Sequence, residues 1–139
     1  MDKKLSVLII EDDKDLARLY RTMVSLVSYA QAETCSGANS GIEALERIKG
    51  NPSDIVFLDI HLPKVDGREI LSAAQKDPRW KKTLWVVVTA DVELGNRLMT
   101  SPAVNGVLIK PVELDVFHSY MEKAARKLGI IPVEQLVEK

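Results

Sequence analysis

Four short apolar runs, each closed by polar residues, constrain the fold of this chain more than any other feature. Helix-length segments separate the runs, which is typical of buried parallel strands joined by helical crossovers. The carboxyl ends of parallel strands meet along one edge of a sheet, and ligands bind at that edge. The residues that close the runs are Glu11-Asp12-Asp13, Asp59, Thr89-Ala90 and Lys110-Pro111. The pattern therefore predicts that acids, a hydroxyl group and an amine come together in one place.

The strand and helix signals alternate five times along the chain. The predicted strands are Val7–Ile10, a polar strand at about Ala32–Ser36, Ile55–Asp59, Leu84–Val88 and Gly106–Ile109. The predicted helices are about Lys14–Val27, Ser40–Ile48, Arg68–Gln75, a poor helix within Asp91–Ala103, and about Glu113–Leu128, capped by Gly129. The fourth helix should be short and end before Pro102, because glycine costs ~1 kcal/mol and proline ~3 kcal/mol in a helix interior.

Repeated βα units predict an α/β fold with a doubly wound parallel sheet, because each crossover must be right-handed. A three-layer (βα)5 sandwich with strand order 2-1-3-4-5 places the polar second strand at an edge. We expect one domain over residues 1–128. The tail 129–139 is expected to form an extra helical turn or the start of a linker.

Composition excludes several classes of protein. The chain has 139 residues, of which 46% are hydrophobic, so a globular domain with a real core is expected. The 19 basic and 20 acidic residues argue against nonspecific nucleic-acid binding, and Cys35 alone cannot form an intrachain disulfide. No apolar run approaches the ~20 residues of a membrane helix. These observations predict a cytoplasmic protein that binds neither nucleic acid nor membrane directly.

The strand-end residues are suited to phosphoryl chemistry with a divalent cation. Asp59 is the candidate nucleophile, since a carboxylate can attack phosphorus and form an aspartyl phosphate. Mg²⁺ prefers oxygen ligands, and we expect Asp12 and Asp59 to bind it directly, Glu11 through water, and His61 through its backbone carbonyl. Asp13 is better explained as the cap of the first helix.

Further groups would contact the phosphoryl oxygens. Thr89 offers a hydroxyl, Ile60 and Ala90 offer backbone N–H groups, and Lys110 offers a fixed positive charge. Each residue also has an ordinary structural explanation, such as a strand threonine or a surface lysine. Four such motifs together at strand ends favour a functional site.

With these motifs in place, the chain resembles the receiver domains of two-component response regulators, the chemotaxis regulator among them. The resemblance runs from Leu5 to about Leu128 and rests on the acidic cluster at Glu11, on Asp59 with the loop to Asp66-Gly67, on Thr89-Ala90 and on Lys110-Pro111. It implies a flavodoxin-like fold and an Mg²⁺-dependent switch that takes a phosphoryl group from a partner kinase's histidine onto Asp59. The partners implied are a sensor histidine kinase or phosphotransfer protein and an output protein.

The resemblance further implies that the protein is a switch rather than an enzyme. Such a switch catalyses only its own phosphorylation and dephosphorylation. A monomer or weak dimer is expected. A degenerate receiver that acts only as an interaction module is an alternative, and a Mg-dependent phosphohydrolase and a flavin-binding electron carrier are weaker ones. Such a hydrolase would carry an aspartate where His61 stands, and such a carrier would have a Ser/Thr-rich loop in place of the first acids.

Two positions depart from the family pattern. Val107 occupies a place usually held by Tyr or Phe, the residue that swings inward on activation. His61 stands where methionine is frequent, and we interpret it as an exposed loop residue that could instead tune autodephosphorylation. We therefore expect switching to act through the order of segment 91–106.

A few other residues carry structural predictions. Trp85 should lie in the core, Trp80 should anchor a loop, Cys35 should be inert and His118 should be exposed on the fifth helix. The Lys110-Pro111 bond is predicted to be cis, aiming the lysine at Asp59.

Overall fold

Five parallel strands and five helices make up the computed structural model, which describes residues 3–132. The strands are β1 (Leu5–Glu11), β2 (Ala30–Ser36), β3 (Ile55–Asp59), β4 (Leu84–Thr89) and β5 (Gly106–Ile109). The helices are α1 (Lys14–Ser25), α2 (Ser40–Ile48), α3 (Gly67–Gln75), α4 (Val92–Leu98) and α5 (Leu114–Lys127), with a short 3₁₀ turn at Pro78–Trp80.

The sheet has the order β2-β1-β3-β4-β5, with every pair parallel, as predicted. Alternate residues of β1 face opposite layers: Val7 and Ile9 pack with α1 and α5, whereas Leu8 and Ile10 pack with α2, α3 and α4. Both faces of the sheet are therefore covered by helices. The predicted doubly wound, flavodoxin-like three-layer sandwich is confirmed.

Several element boundaries differ from the sequence prediction by one or two residues, and two of these differences have a clear physical reason. Helix α1 ends at Ser25 rather than Val27, although Val27 still packs against the core, so the apolar periodicity continues past the end of the helix. Strand β2 begins at Ala30 rather than Ala32, because Ala30 already pairs with Leu5 of β1.

Helix α4 is short, as predicted, and Gly95 has a packing role there. A Cβ at Gly95 would lie 2.9 Å from Ile109 Cδ1 and 3.1 Å from Val107 Cγ1. The missing side chain lets α4 approach β5 closely. Gly95 lowers the intrinsic stability of α4, but it also allows the helix to pack directly against β5.

The folded body extends past the predicted boundary at residue 128. After α5, Gly129 adopts a positive φ of 71° and Ile130 N–H donates to Ala125 O at 2.8 Å. Ile130 and Ile131 then pack against the core without forming a helical turn. The rest of the predicted tail, residues 133–139, lies outside the described residues. Within residues 3–132, no helix has the length and apolar character needed to cross a membrane.

The tryptophans and Cys35 lie where the sequence placed them. Trp80 is buried and its Nε1–H donates to Ile48 O at 2.8 Å, which anchors the 3₁₀ turn to α2. Trp85 is buried in β4. Burial raises the pKa of the Cys35 thiol to about 11, so this thiol stays protonated at neutral pH.

The prediction that His118 is exposed was wrong. His118 is half-buried, and its Nε2 donates to Met23 O at 2.6 Å. Met23 lies in the last turn of α1, where carbonyl groups lack partners within the helix. The histidine satisfies one of them and ties α5 to α1.

Candidate functional site

The carboxyl edge of the sheet gathers four of the predicted side chains. Glu11 ends β1, Asp59 ends β3 and Thr89 ends β4, and all three are buried. Lys110 follows β5 directly, and its bond to Pro111 is cis, as predicted. Parallel strand order alone brings these groups together, since the four strands are neighbours in the sheet.

Lys110 forms ion pairs with two of the acids. Its Nζ lies 2.8 Å from Glu11 Oε1 and 3.1 Å from Asp59 Oδ2. The contact with Asp59 was predicted, but the closer one with Glu11 was not. One ammonium group therefore compensates two carboxylates that would otherwise repel each other.

The pKa values of the site reflect this crowding. Burial raises the pKa of Glu11 from 4.5 to about 7; the Lys110 ammonium lowers it and the Asp59 carboxylate raises it further. Burial by itself would lower the pKa of Lys110, but its contacts with Glu11 and Asp59 raise it overall. Lys110 is thus a fixed cation, whereas Glu11 can exchange a proton near neutral pH.

Three acids converge on a position suited to a metal ion. Glu11, Asp12 and Asp59 each offer an oxygen, and these oxygens lie within 4.8 Å of one another. Asp13 does not join them: its Oδ1 accepts from Asp15 N at 2.9 Å and Leu16 N at 3.1 Å, which caps α1. An all-oxygen donor set fits Mg²⁺.

The loop after β3 is fitted closely around Asp59. His61 N–H donates to Asp59 Oδ1 at 3.2 Å, and Gly67 N–H donates to Ile60 O at 2.8 Å. A Cβ at Gly67 would lie only 2.6 Å from Asp59 O. Helix α3 therefore begins against the backbone of the candidate nucleophile, at a distance only glycine permits.

Thr89 holds the start of α4 through its hydroxyl. Its Oγ1 accepts from Asp91 N–H at 3.0 Å, and the Asp91 side chain caps α4 by accepting from Leu94 N–H at 3.0 Å. The predicted phosphoryl ligand is thus linked to the first turn of that helix.

Asp91 also contacts His61, and the sequence reading missed this contact. His61 Nε2 lies 3.4 Å from Asp91 Oδ2, joining the loop after β3 to the start of α4. The Leu94 N–H and then the His61 side chain lower the pKa of the Asp91 carboxyl. The sequence feature that could have indicated a role for Asp91 is its position, two residues after Thr89 and at the start of a helix.

Backbone groups complete the predicted site. Ile60 directly follows Asp59 and is buried, whereas Ala90 directly follows Thr89 and is exposed. Their N–H groups, and the carbonyl of the exposed His61, belong to the same edge of the sheet. Their roles toward a phosphoryl group or a cation stay predictions.

A family profile described as the response regulator receiver domain matches residues 7–122, which contain every site residue discussed above. The chain belongs to this family. Domains of this family act in two-component signalling, and the family resemblance inferred from the sequence motifs is confirmed.

Known proteins similar to this receiver domain agree with the assignment. The transcriptional regulatory protein CitT of Halalkalibacterium halodurans is 29% identical over 129 residues, covering 91% of this chain and 55% of that protein. A CheY-like receiver domain from Methanospirillum hungatei has a TM-score of 0.76 at 22% identity, covering 91% of this chain and 98% of that one. The receiver domain of a Pseudomonas aeruginosa sensor histidine kinase has a TM-score of 0.69 at 19% identity, covering 91% and 98%.

These structural likenesses, at under 25% identity, establish the fold. The chain spans about half the length of the curated relatives it matches, between 49% and 55%.

Proposed function

We propose that this receiver domain is a phosphorylation switch in which Asp59 accepts the phosphoryl group. The observation that carries the proposal is the position of Asp59, buried at the end of β3 with Lys110 Nζ 3.1 Å from its Oδ2. Glu11 and Asp12 each place a carboxylate oxygen within 4.8 Å of an oxygen of Asp59. A degenerate receiver would have no need to keep this arrangement of nucleophile, cation and acids.

The transfer moves the phosphoryl group from a nitrogen to an oxygen. A carboxylate oxygen of Asp59 attacks phosphorus and forms the new P–O bond. The P–N bond to the kinase's histidine breaks, and its electron pair returns to the imidazole nitrogen. Lys110 stabilises the negative charge on the phosphoryl oxygens, and Thr89 with the N–H groups of Ile60 and Ala90 donates hydrogen bonds to them.

Magnesium would be held by Glu11, Asp12, Asp59 and the His61 carbonyl, and when bound it neutralises charge on the phosphoryl oxygens. Two observations support this assignment. Burial raises the pKa of Glu11 to about 7 and the nearby Asp59 carboxylate raises it further, so a cation beside the three converging acids would favour the ionised form. The Pseudomonas aeruginosa receiver domain is described with a magnesium ion coordinated in its active-site cleft.

Phosphorylation at Asp59 can be tested by intact mass. Incubation with phosphoramidate and Mg²⁺ should add one phosphoryl group to the native chain and none in EDTA. Asp59→Asn should abolish the addition, because an amide is not a competent nucleophile. Asp13→Asn is the matched control, since asparagine also caps helices and this residue caps α1. A label that persists in Asp59→Asn would sink the proposal.

The metal assignment separates two adjacent aspartates. Asp12→Ala should weaken Mg²⁺ binding by about tenfold or more, because it removes a ligand oxygen. Asp13→Ala should leave Mg²⁺ affinity nearly unchanged and reduce stability instead, by about 1 kcal/mol through loss of the α1 cap. Calorimetric titration with Mg²⁺ measures the first effect and urea unfolding the second. Equal losses of Mg²⁺ affinity in the two variants would contradict the assignment.

The same proposal covers the role of the domain in the cell. The phosphoryl donor is a sensor histidine kinase or phosphotransfer protein, and the output is binding to another protein. The domain acts as a cytoplasmic switch, catalysing only its own phosphorylation and dephosphorylation. No observation favours the phosphohydrolase or flavin alternatives.

A further inference from the structure

A basic cleft lies at the edge of the sheet opposite the phosphoacceptor. It has a volume of about 630 Å³ and opens between the segments that precede β1, β3 and β4 and the end of α5. Its lining includes four cationic side chains and one acidic one; these are Lys3, Arg79, Lys82, Lys127 and Asp54. We call this feature the basic cleft.

Among residues 3–132, the lysines of the basic cleft have no compensating partners. Lys3, Lys82 and Lys127 make no ion pair or side-chain hydrogen bond with any residue in the part of the chain that the structure describes. Arg79 differs, because it binds Asp77 at 2.7 Å and the Lys49 carbonyl at 3.1 Å. Three ammonium groups from three separate elements therefore surround one concavity.

The acid of the basic cleft is already engaged. Asp54 Oδ2 accepts from Ser6 N–H at 2.8 Å, which fixes the start of β1 to the start of β3. The floor is equally rigid, since Leu84 N–H donates to Asp54 O at 3.1 Å and Thr83 Oγ1 donates to Ser53 O at 2.6 Å. The cleft is thus a preformed feature rather than a gap between mobile loops.

This accumulation of positive charge does not follow from composition. The chain has 19 basic and 20 acidic residues and a net charge of −1. Glu11, Asp12 and Asp59 gather at one edge of the sheet, while the three lysines that lack an ion pair within residues 3–132 gather at the other. Like charges held near one another repel, so a multivalent anion in the cleft would be stabilised by all three at once.

We propose that the basic cleft binds a small, multiply charged phosphate anion, at a site separate from the phosphoacceptor. Its volume falls within the roughly 300–1,000 Å³ of small-molecule sites, and its concave shape suits a compact ligand better than a flat membrane surface. Lysine binds phosphate as a point charge, so three lysines on different sides match an anion with several charged groups.

The basic cleft and the phosphoacceptor site differ in position and in the charge of the ligands they attract. Asp54 lines the cleft immediately before β3, and Asp59 ends that strand, a separation of roughly 16 Å along the chain. Without a divalent cation the acidic edge repels anions. Binding measured in buffer freed of divalent cations by a chelating resin therefore reports the basic cleft.

The test compares two double variants that remove the same charge from the same segments. Lys82→Gln with Lys127→Gln removes two lysines of the cleft. Lys81→Gln with Lys123→Gln is the matched control: it removes the neighbouring lysine before β4 and an exposed lysine one turn earlier on α5, neither of which lines the cleft. Each variant is titrated with sodium triphosphate by calorimetry in buffer freed of divalent cations by a chelating resin, and backbone amide shifts locate the ligand.

The native chain should bind triphosphate, with amide shifts concentrated at residues 53–54 and 82–84. The cleft variant should lose at least tenfold in affinity, and the control less than twofold. Equal losses in the two variants would mean diffuse attraction and would overturn the proposal. So would the absence of binding in the native chain, or tighter binding of a poly-glutamate peptide than of triphosphate, which would assign the cleft to an acidic protein segment.

Discussion

Glu11 is the residue whose charge state is most sensitive to its surroundings. It is 1% exposed, paired with Lys110 at 2.8 Å, and its pKa is raised from 4.5 to about 7. The folded state therefore holds a proton on Glu11 between pH 4.5 and 7 that the unfolded chain has released. By linkage, stability falls as pH rises through this window and levels off above it.

Replacement of Glu11 by glutamine should remove that pH dependence, because the amide is neutral throughout. In EDTA, the native chain should lose on the order of 2–3 kcal/mol of stability between pH 4.5 and 7.5 beyond any change in Glu11→Gln. Urea unfolding at several pH values measures the difference. The same slope in both proteins would show that Glu11 is ionised throughout. Added Mg²⁺ should reduce the native loss at pH 7.5, where it favours the carboxylate.

Single-residue contacts between distant loops were the part of the site least accessible from the sequence. Strand-end position predicted Asp59, Thr89 and Lys110, because the sheet edge collects whatever follows each strand. The contact between His61 and Asp91 depends on the path of two loops, and the sequence spacing of 30 residues does not define that path. His118 was misplaced for a similar reason, since its partner is a carbonyl of α1 far away in the chain.

At the level of elements, the start of α3 is set by its contact with the end of β3. Gly67→Ala should force the two apart, because the new Cβ would meet Asp59 O at 2.6 Å and Ile60 Cα at 2.7 Å, both backbone atoms. We expect a loss of about 1–3 kcal/mol in stability and a large drop in phosphorylation by phosphoramidate.

A glycine in a roomier place provides the control for that change. At Gly50 the nearest atom to a new Cβ is Arg47 O at 3.3 Å, so Gly50→Ala should be far milder. Urea unfolding and intact mass report both variants. Normal phosphorylation of Gly67→Ala would show that the contact with β3 does not position Asp59.

Helix α4 is the element we expect to respond to phosphorylation. It has seven residues, and its first turn is linked to the site through the Asp91 N–H bond to Thr89 Oγ1. When Thr89 and Ala90 engage the phosphoryl group, the segment that follows them should become more ordered. With beryllofluoride as the mimic, hydrogen exchange should slow in residues 91–106 more than in α2 or α3.

The Asp91 amide should stay protected within that segment, because the Thr89 hydroxyl can donate to the phosphoryl group and still accept from Asp91 N–H. Thr89→Ala serves as the comparison and should show little response to beryllofluoride. Exchange in residues 91–106 that is already slow and does not change with the mimic would refute a switch based on order.

On the scale of the whole molecule, most of the architecture could be predicted because local and global signals agree. Apolar runs of strand length, helical periodicity and right-handed crossovers together leave few topologies, and the polarity of β2 favours the order 2-1-3-4-5, in which that strand lies at an edge. The basic cleft could not be predicted in the same way. Its lysines come from positions far apart in the chain that carry no common motif, and only the folded structure brings them to one concavity.

The placement of the two tryptophans determines what the intrinsic fluorescence of this domain can report. Trp80 and Trp85 lie 5.9 Å apart between their ring centroids, both buried on the α2–α3 side of the sheet. Trp85 pairs with Val56, three residues before Asp59, or roughly 10 Å along the strand from the phosphoacceptor. No indole borders the acidic edge, so tryptophan emission should follow unfolding closely and should change little on phosphorylation. An optical readout of the active state needs a fluorophore placed near α4.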